Sequence, residues 1–305
     1  MTTRRNFVAG AGALAGWGLA GANVACAAGG LPDTFTADLA RIELENGGRL
    51  GVAVQDTGSG ARAGHRDGER FPMCSTFKLL AAAAVLKRVD GGQERLDRRI
   101  VFAASDIVVN SPVTKERIGD AGMTLAELCE AAMTVSDNTA GNLLLASLGG
   151  PQAITDYARM LGDTMTRLDR IEPDLNEAAP GDPRDTTTPQ AMLGNVRQLV
   201  LGKALSAASK DQLTKWLRGN KTGDTRLRAG LPAGWLTGDK TGSGERGTTN
   251  DIGVVWPPGR APIVVAIYYT ETTATAEKRN AVLAAVGRAL APDGPDGLRR
   301  GSGLY

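Results

Sequence analysis

Residues 235–256 read WLTGDKTGSGERGTTNDIGVVW. Apolar and β-branched residues gather at the two ends, and Gly242, Gly244 and Gly247 crowd the middle. That pattern predicts two strands, 235–243 and 251–256, folded back on each other by a glycine-rich turn. A Pro-Pro-Gly turn at 257–259 leads to a third apolar run at 263–269, and helical spacing over 276–290 follows. The comparable signal lies near the other end of the chain. Residues 33–46 carry helical spacing at Phe35, Leu39, Ile42 and Leu44, stopped by Gly47-Gly48. LGVAVQ at 50–55 then predicts a strand, DTGSG at 56–60 a turn, and 61–66 a returning strand. Two or three strands alone are rarely stable, so strands from both ends must share one sheet.

The intervening chain reads as helices at 75–90, 124–132, 139–148, 151–161, 188–201 and 206–217. Gly91-Gly92 and Gly149-Gly150 act as stops, and Pro189 takes a first helical position. The predicted fold class is therefore α/β of the α+β type. A five-stranded antiparallel sheet is built from residues 30–70 and 220–291, and a helical domain of residues 71–219 is inserted. The crevice between two such halves is a natural site.

Composition excludes several functions. Hydrophobic residues make up 42% and charged residues 22%, ordinary values for a globular chain. Arg4 and Arg5 account for the net charge of +2, so the rest is balanced and carries no electrostatic footprint for nucleic acid. Residues 1–28 read as a twin-arginine export signal: Arg4-Arg5, an Ala/Gly-rich stretch, then small residues at Ala25 to Ala28. The expected cleavage lies near Ala27 or Ala28 and the expected destination is the periplasm. Lipoprotein processing at Cys26 is the alternative, with Asn23 against it. No later apolar run approaches a membrane span; the longest, 79–86, has eight residues. The Gly/Pro/Arg-rich tail 292–305 is expected to be disordered.

His65 is the only histidine, and it falls in a predicted edge strand. A Ser-His-Asp hydrolase or a His/Cys metal cluster is thus poorly served, and neither a Gly-x-Ser-x-Gly elbow nor a Walker loop occurs. A nucleophile must be activated without histidine. Ser75-Thr-Phe-Lys78 offers this, because residues i and i+3 share one helical face. A lysine crowded by cations loses basicity, and its neutral amine can accept the serine proton. Ser136-Asp137-Asn138 falls on a turn between helices, where it serves either as a helix cap or as a pair of side chains aimed into a cleft. Lys-Thr-Gly occurs twice. Lys221-Thr222-Gly223 follows a helix end with no strand to aim it. Lys240-Thr241-Gly242 lies on a strand, with Lys240 and Gly242 on one face and Thr241 on the other.

Taken in order, Ser75-x-x-Lys78, Ser136-Asp137-Asn138 and Lys240-Thr241-Gly242 resemble the penicilloyl-serine enzymes. Arg167-Leu-Asp-Arg-Ile-Glu172-Pro-Asp-Leu-Asn176, with Gly181 to Thr187 after it, resembles the Ω-loop of the class A β-lactamase branch. The resemblance spans about 33–290. It implies that β-lactam antibiotics acylate Ser75, with Lys78, or Glu172 through a water, as the base. It implies an oxyanion hole from the backbone of Ser75 and Ser243, and Ser136 as a proton relay. Lys240, Thr241, Gly242, Ser243 and Asn138 would hold substrate, and Glu172 with Asn176 the deacylating water. Arg170 and Asp185 would tie the Ω-loop, residues 167–187. The family uses no metal or organic cofactor, is usually monomeric, and is inhibited by mechanism-based inhibitors. Without the Glu172 loop the same motifs would fit a D,D-peptidase or a non-hydrolytic β-lactam sensor.

Four positions depart from the family pattern. Where many members place a substrate-gripping arginine this chain has Thr249, and Arg226 is the expected substitute. Asn110 stands where many place an aromatic, so that wall is expected to be less apolar. Some members bridge the cysteine matching Cys74 to a position that here is Gly244, or the one matching Cys129 to a position that here is Ala82. Both thiols are therefore expected to be free.

Overall fold

The computed structural model describes residues 30–119 and 121–291. The expected export signal and the tail fall outside the described residues. In chain order the elements are α1 (Phe35–Asn46), β1 (Arg49–Asp56), β2 (Arg62–His65), β3 (Phe71–Pro72), α2 (Phe77–Asp90), β4 (Arg99–Ile100), β5 (Met123–Thr124), α3 (Leu125–Thr134) and α4 (Asn138–Leu148). They continue with α5 (Gln152–Met160), β6 (Thr186–Thr187), α6 (Pro189–Val200), α7 (Ala207–Arg218), α8 (Leu227–Gly230), β7 (Leu236–Ser243), β8 (Thr249–Trp256), β9 (Ile263–Thr270) and α9 (Ala276–Leu290).

The sheet joins the two ends of the chain as expected. Its order is β2-β1-β9-β8-β7, antiparallel throughout, with Val52 opposite Ile267 and Lys240 opposite Ile252. Alternation splits the apolar residues between two cores. Val52, Val54, Val265 and Ile267 pack with Phe35 and Leu39 of α1 and Leu283 of α9. Ala53, Val264, Ala266 and Tyr268 face the other way, toward Phe77 and Leu80 of α2 and Met192 of α6. α2 is buried from Phe77 to Leu86, which makes it the axis of the helical half. Each fully buried leucine or phenylalanine there is worth about 1.5–3 kcal/mol of apolar transfer.

Sequence reasoning missed the short pairs β3–β6 and β4–β5. Two-residue bridges carry too little periodicity to register. The helix expected from residue 75 begins as a 3₁₀ turn, Cys74–Thr76, before α2 proper. His65 ends edge strand β2, and its Nε2 lies 2.9 Å from the Glu43 carboxylate, a hydrogen-bonding contact away from the crevice. Among the described residues no helix is long and apolar enough to cross a membrane.

Candidate active site

Ser75 stands at the mouth of the crevice because its turn is held from three sides. Asn250 Nδ2 donates to the carbonyls of Pro72 and Met73 at 2.9 and 3.1 Å. The Met73 amide donates to the Asp185 carbonyl, and Thr76 Oγ1 donates to the Met73 carbonyl at 2.8 Å. Strand β7 lies so close that a Cβ at Gly242 would sit 2.9 Å from the Met73 carbonyl oxygen, which explains the glycine of the second Lys-Thr-Gly.

Lys78 is fully buried one helical turn on. Its Nζ donates to Ser75 Oγ at 2.9 Å, to Asn138 Oδ1 at 2.6 Å and to the Ser136 carbonyl at 2.9 Å. Desolvation by burial pushes its pKa below the usual lysine range, although the Glu172 carboxylate 2.9 Å away pulls the other way. Gly141 makes room for it: a Cβ there would lie 2.8 Å from Lys78 Cε.

Ser136 adopts a left-handed backbone, φ +60°, a conformation that costs energy in a non-glycine residue and recurs at working sites. Its Oγ accepts from Lys240 Nζ at 3.0 Å. Lys240 is fully buried; desolvation first, then the charges of Lys78 and Arg226, hold its pKa well below the ordinary value. Asp137 does cap α4, accepting from the Ala140 amide, and it also takes the amides of Val113 and Thr114. Both readings of Ser136-Asp137-Asn138 hold, since the cap is what aims its neighbours.

Glu172 is 1% exposed, and its Oε1 accepts from Ser75 Oγ at 3.2 Å. Its Oε2 accepts from Asn176 Nδ2. Asn142 clamps its backbone: the Glu172 amide donates to Asn142 Oδ1 and Asn142 Nδ2 donates to the Glu172 carbonyl, both at 2.9 Å. The sequence reading assigned Asn142 no role; the signal was its place one turn beyond Asn138 on α4. At the neck of the loop Arg170 Nε meets Asp185 Oδ2 at 2.6 Å, and Asp185 Oδ1 accepts the amides of Asp169 and Arg170. Arg170 also reaches Glu177. The loop is fastened to the β7–β8 turn where the Glu245 amide donates to the Asn176 carbonyl at 2.9 Å.

These groups converge on a cavity of about 730 Å³ lined by Ser75, Asn110, Ser136, Asn138, Arg226 and Ser243. Asn138 Nδ2 is engaged by the Val109 carbonyl at 3.0 Å. Asn110 replaces the aromatic wall as expected, yet Val109 beside it is 65% exposed and returns apolar surface to the rim. Arg226 Nη1 donates to the carbonyls of Gly242 and Asn250, Nη2 to Ser243 Oγ at 2.7 Å, and Nε to Asn280 Oδ1. Thr249 is occupied by Arg279 Nε at 3.0 Å. Lys221-Thr222-Gly223 is off the strands as expected, but it is not remote. Thr222 Oγ1 bonds Thr241 Oγ1 and lines the same cavity, so the first tripeptide buttresses the second. Thr241 also lines the cavity, while Lys240 is fully buried. Cys74 and Cys129 are both free and buried; a Cβ at Gly244 would lie 2.6 Å from Cys74 Sγ, where a bridging partner would have stood. Among the described residues no group of three or more His, Cys, Asp or Glu could hold a metal ion.

The β-lactamase enzyme family model matches residues 34–292. The chain is 51% identical over 250 residues to β-lactamase CTX-M-8 of Citrobacter amalonaticus, covering 82% of this chain and 86% of that one. It is 53% identical over 251 residues to β-lactamase AST-1 of Nocardia asteroides, covering 82% and 81%. An ancestral (GNCA) class A β-lactamase superposes with TM-score 0.82 at 65% identity, covering 84% of this chain and 98% of that one. A putative class A β-lactamase, PenP of Rhodopseudomonas palustris, does so with TM-score 0.83 at 60% identity, covering the same 84% and 98%. Matches over more than four-fifths of the chain at this identity, on a fold whose crevice gathers a serine, two lysines and a clamped glutamate, leave one assignment: the chain belongs to the class A β-lactamases.

Proposed function

We propose that this protein hydrolyses the β-lactam ring of penicillins and cephalosporins through an acyl-enzyme on Ser75, and so confers resistance. Ser75 Oγ bonds to the lactam carbonyl carbon as its proton passes to the Lys78 amine, or to Glu172 through a water. Both bases lie within hydrogen-bonding reach of that oxygen. The backbone amides of Ser75 and Ser243 receive the oxyanion. The ring C–N bond breaks, and Ser136, bonded to Lys240, delivers a proton to the leaving nitrogen. Lys240 and Arg226 give the cavity a positive potential for the substrate carboxylate. Thr241 and Ser243 add hydroxyls to that end, while Asn138 and Asn110 line the end that takes the acylamide side chain. Glu172 and Asn176 then hold a water, whose oxygen bonds to the acyl carbon as Ser75 regains its proton. The net change is addition of one water.

The observation that carries this reading is the second base. Glu172 is buried, clamped at backbone and side chain, and 3.2 Å from the nucleophile. A peptidase or sensor that stays acylated has no use for it. Intact-mass spectrometry during penicillin turnover tests the point. Wild type should show little adduct at steady state, and Glu172→Ala should accumulate one acyl group per chain. Sustained turnover by Glu172→Ala would rule the assignment out. The same reading takes residues 1–28 as a twin-arginine export signal to the periplasm. The mature chain is a monomer, open to mechanism-based β-lactamase inhibitors.

A further inference from the structure

The first Lys-Thr-Gly takes no part in the chemistry at Ser75, yet each of its residues is anchored. The Lys221 amide donates to the Thr134 carbonyl at 2.8 Å, at the end of α3. A Cβ at Gly223 would strike the Asp239 carboxylate. Thr222 lines the cavity and belongs to a chain of four hydrogen-bonded side chains, Asp239, Asn220, Thr222 and Thr241. Asp239 is fully buried on β7, and its two oxygens accept from Arg228 Nε at 3.0 Å and Nη2 at 2.6 Å. Asn220 Nδ2 donates to Asp239 Oδ1 at 2.7 Å. Asn220 Oδ1 faces the Thr222 amide at 3.1 Å and Thr222 Oγ1 at 2.7 Å. Thr222 Oγ1 in turn meets Thr241 Oγ1.

The direction of every proton in this chain is fixed by its fixed donors. A backbone amide only donates, so the Thr222 amide requires the oxygen of the Asn220 side chain to face it. The Asn220 nitrogen then faces Asp239, as a carboxylate demands. An amide oxygen carries no proton, so the proton between Asn220 Oδ1 and Thr222 Oγ1 belongs to Thr222. A hydroxyl has only one. The proton between Thr222 and Thr241 must therefore come from Thr241, whose Oγ1 has no other partner among the described residues. That leaves Thr241 only lone pairs to offer the cavity it lines.

A carboxylate also offers only lone pairs. We propose that Thr222 is a positioning residue that holds the Thr241 hydroxyl proton in the free enzyme and competes for it with the substrate carboxylate. This rests on the reading that the Lys240 and Arg226 end of the cavity takes that carboxylate. On binding, the Thr241 hydroxyl turns about its Cβ–Oγ bond. Its hydrogen bond to Thr222 breaks, one to the carboxylate forms, and every proton stays on its own oxygen. The exchange weakens substrate binding by about the worth of one hydrogen bond and leaves the reacting groups around Ser75 untouched.

Two measurements test this. Thr222→Ala removes the competing oxygen and should lower KM for benzylpenicillin about three- to tenfold with kcat unchanged, whereas Thr222→Ser keeps the hydroxyl and should keep the wild-type KM. An unchanged or raised KM in Thr222→Ala, or a change confined to kcat, would make Thr222 a mere brace and overturn the proposal. Neutron diffraction from the deuterated free enzyme reads the polarity without any substrate. It should place the Thr241 deuteron toward Thr222 and the Thr222 deuteron toward Asn220; the reverse order would overturn the proposal even with penicillin turnover intact. A wild-type enzyme that turns over no penicillin would instead sink the substrate reading, and the competition for a carboxylate with it, while leaving the neutron result standing.

Discussion

Asn142 holds Glu172 by both of its backbone polar groups, amide and carbonyl, at 2.9 Å each. One side-chain amide on a rigid helix thereby fixes the position of a carboxylate on a long loop. The loop's other ties, Arg170 to Asp185 and Glu245 to Asn176, hold its neck and its rim, and Asn176 holds the Glu172 side chain but not its backbone. Precision at the Glu172 backbone comes from α4.

Asn142→Ala leaves two buried backbone groups unpaired, so it should cost about 2–4 kcal/mol of stability. It should also slow deacylation more than acylation, because the Asn142 side chain bonds the Glu172 backbone rather than the Ser75 turn. Urea melts report the first effect, and burst kinetics with a penicillin should report the second as a burst followed by a slow steady state. A variant with wild-type steady-state turnover would show that the loop positions Glu172 unaided.

Gly141→Ala separates fold from chemistry. The added methyl improves the helix by about 1 kcal/mol. It also intrudes to 2.8 Å from Lys78 Cε and must push the amine off Ser75 Oγ. The expected result is an intact or raised melting temperature with kcat/KM lowered tenfold or more. Retained activity would mean that Lys78 can swing aside and still act.

Much of this was legible because the three motifs and the Ω-loop pattern are local in sequence, and periodicity marks both arms of the sheet. The buttressing contacts were not legible. Thr222 meets Thr241 and Asn220 meets Asp239 across nineteen residues, contacts that exist only once α7 packs beside β7. Asn142 looked like one more polar residue on a helix, since its partner lies thirty residues away in a loop without periodicity. Val109 was passed over because a single exposed valine is unremarkable until the cavity beside it is known.

Lys240 shows function in conflict with stability. Burial holds its pKa well below the ordinary lysine value of 10.5, so the unfolded chain binds more protons than the folded one between those two values. Stability contributed by this site therefore rises with pH across that window, and at neutral pH the buried lysine is a burden. Lys240→Met should raise the melting temperature, flatten the rise of stability toward alkaline pH, and cut kcat/KM at least tenfold. Denaturant midpoints measured from neutral pH to about pH 10 provide the check. A destabilised Lys240→Met would mean that the bonds to Ser136 and Thr241 outweigh desolvation.

Arg226, the proposed carboxylate contact, lines the cavity with four of its five N–H groups already engaged by Gly242, Asn250, Ser243 and Asn280. That engagement fixes the guanidinium and leaves one donor, on Nη2, for a ligand. Arg226→Ala should lower kcat/KM for a penicillin about 10–100-fold, mainly through KM, because the carboxylate is held in ground state and transition state alike. Arg226→Lys should rescue little, since an ammonium cannot satisfy two carbonyls, a hydroxyl and a side-chain amide while still facing substrate. If Arg226→Ala stays within a few-fold of wild type, the carboxylate is gripped instead by Lys240 or by Arg279, whose Nε already meets Thr249 at 3.0 Å. An Arg279→Ala variant measured alongside then decides between those two.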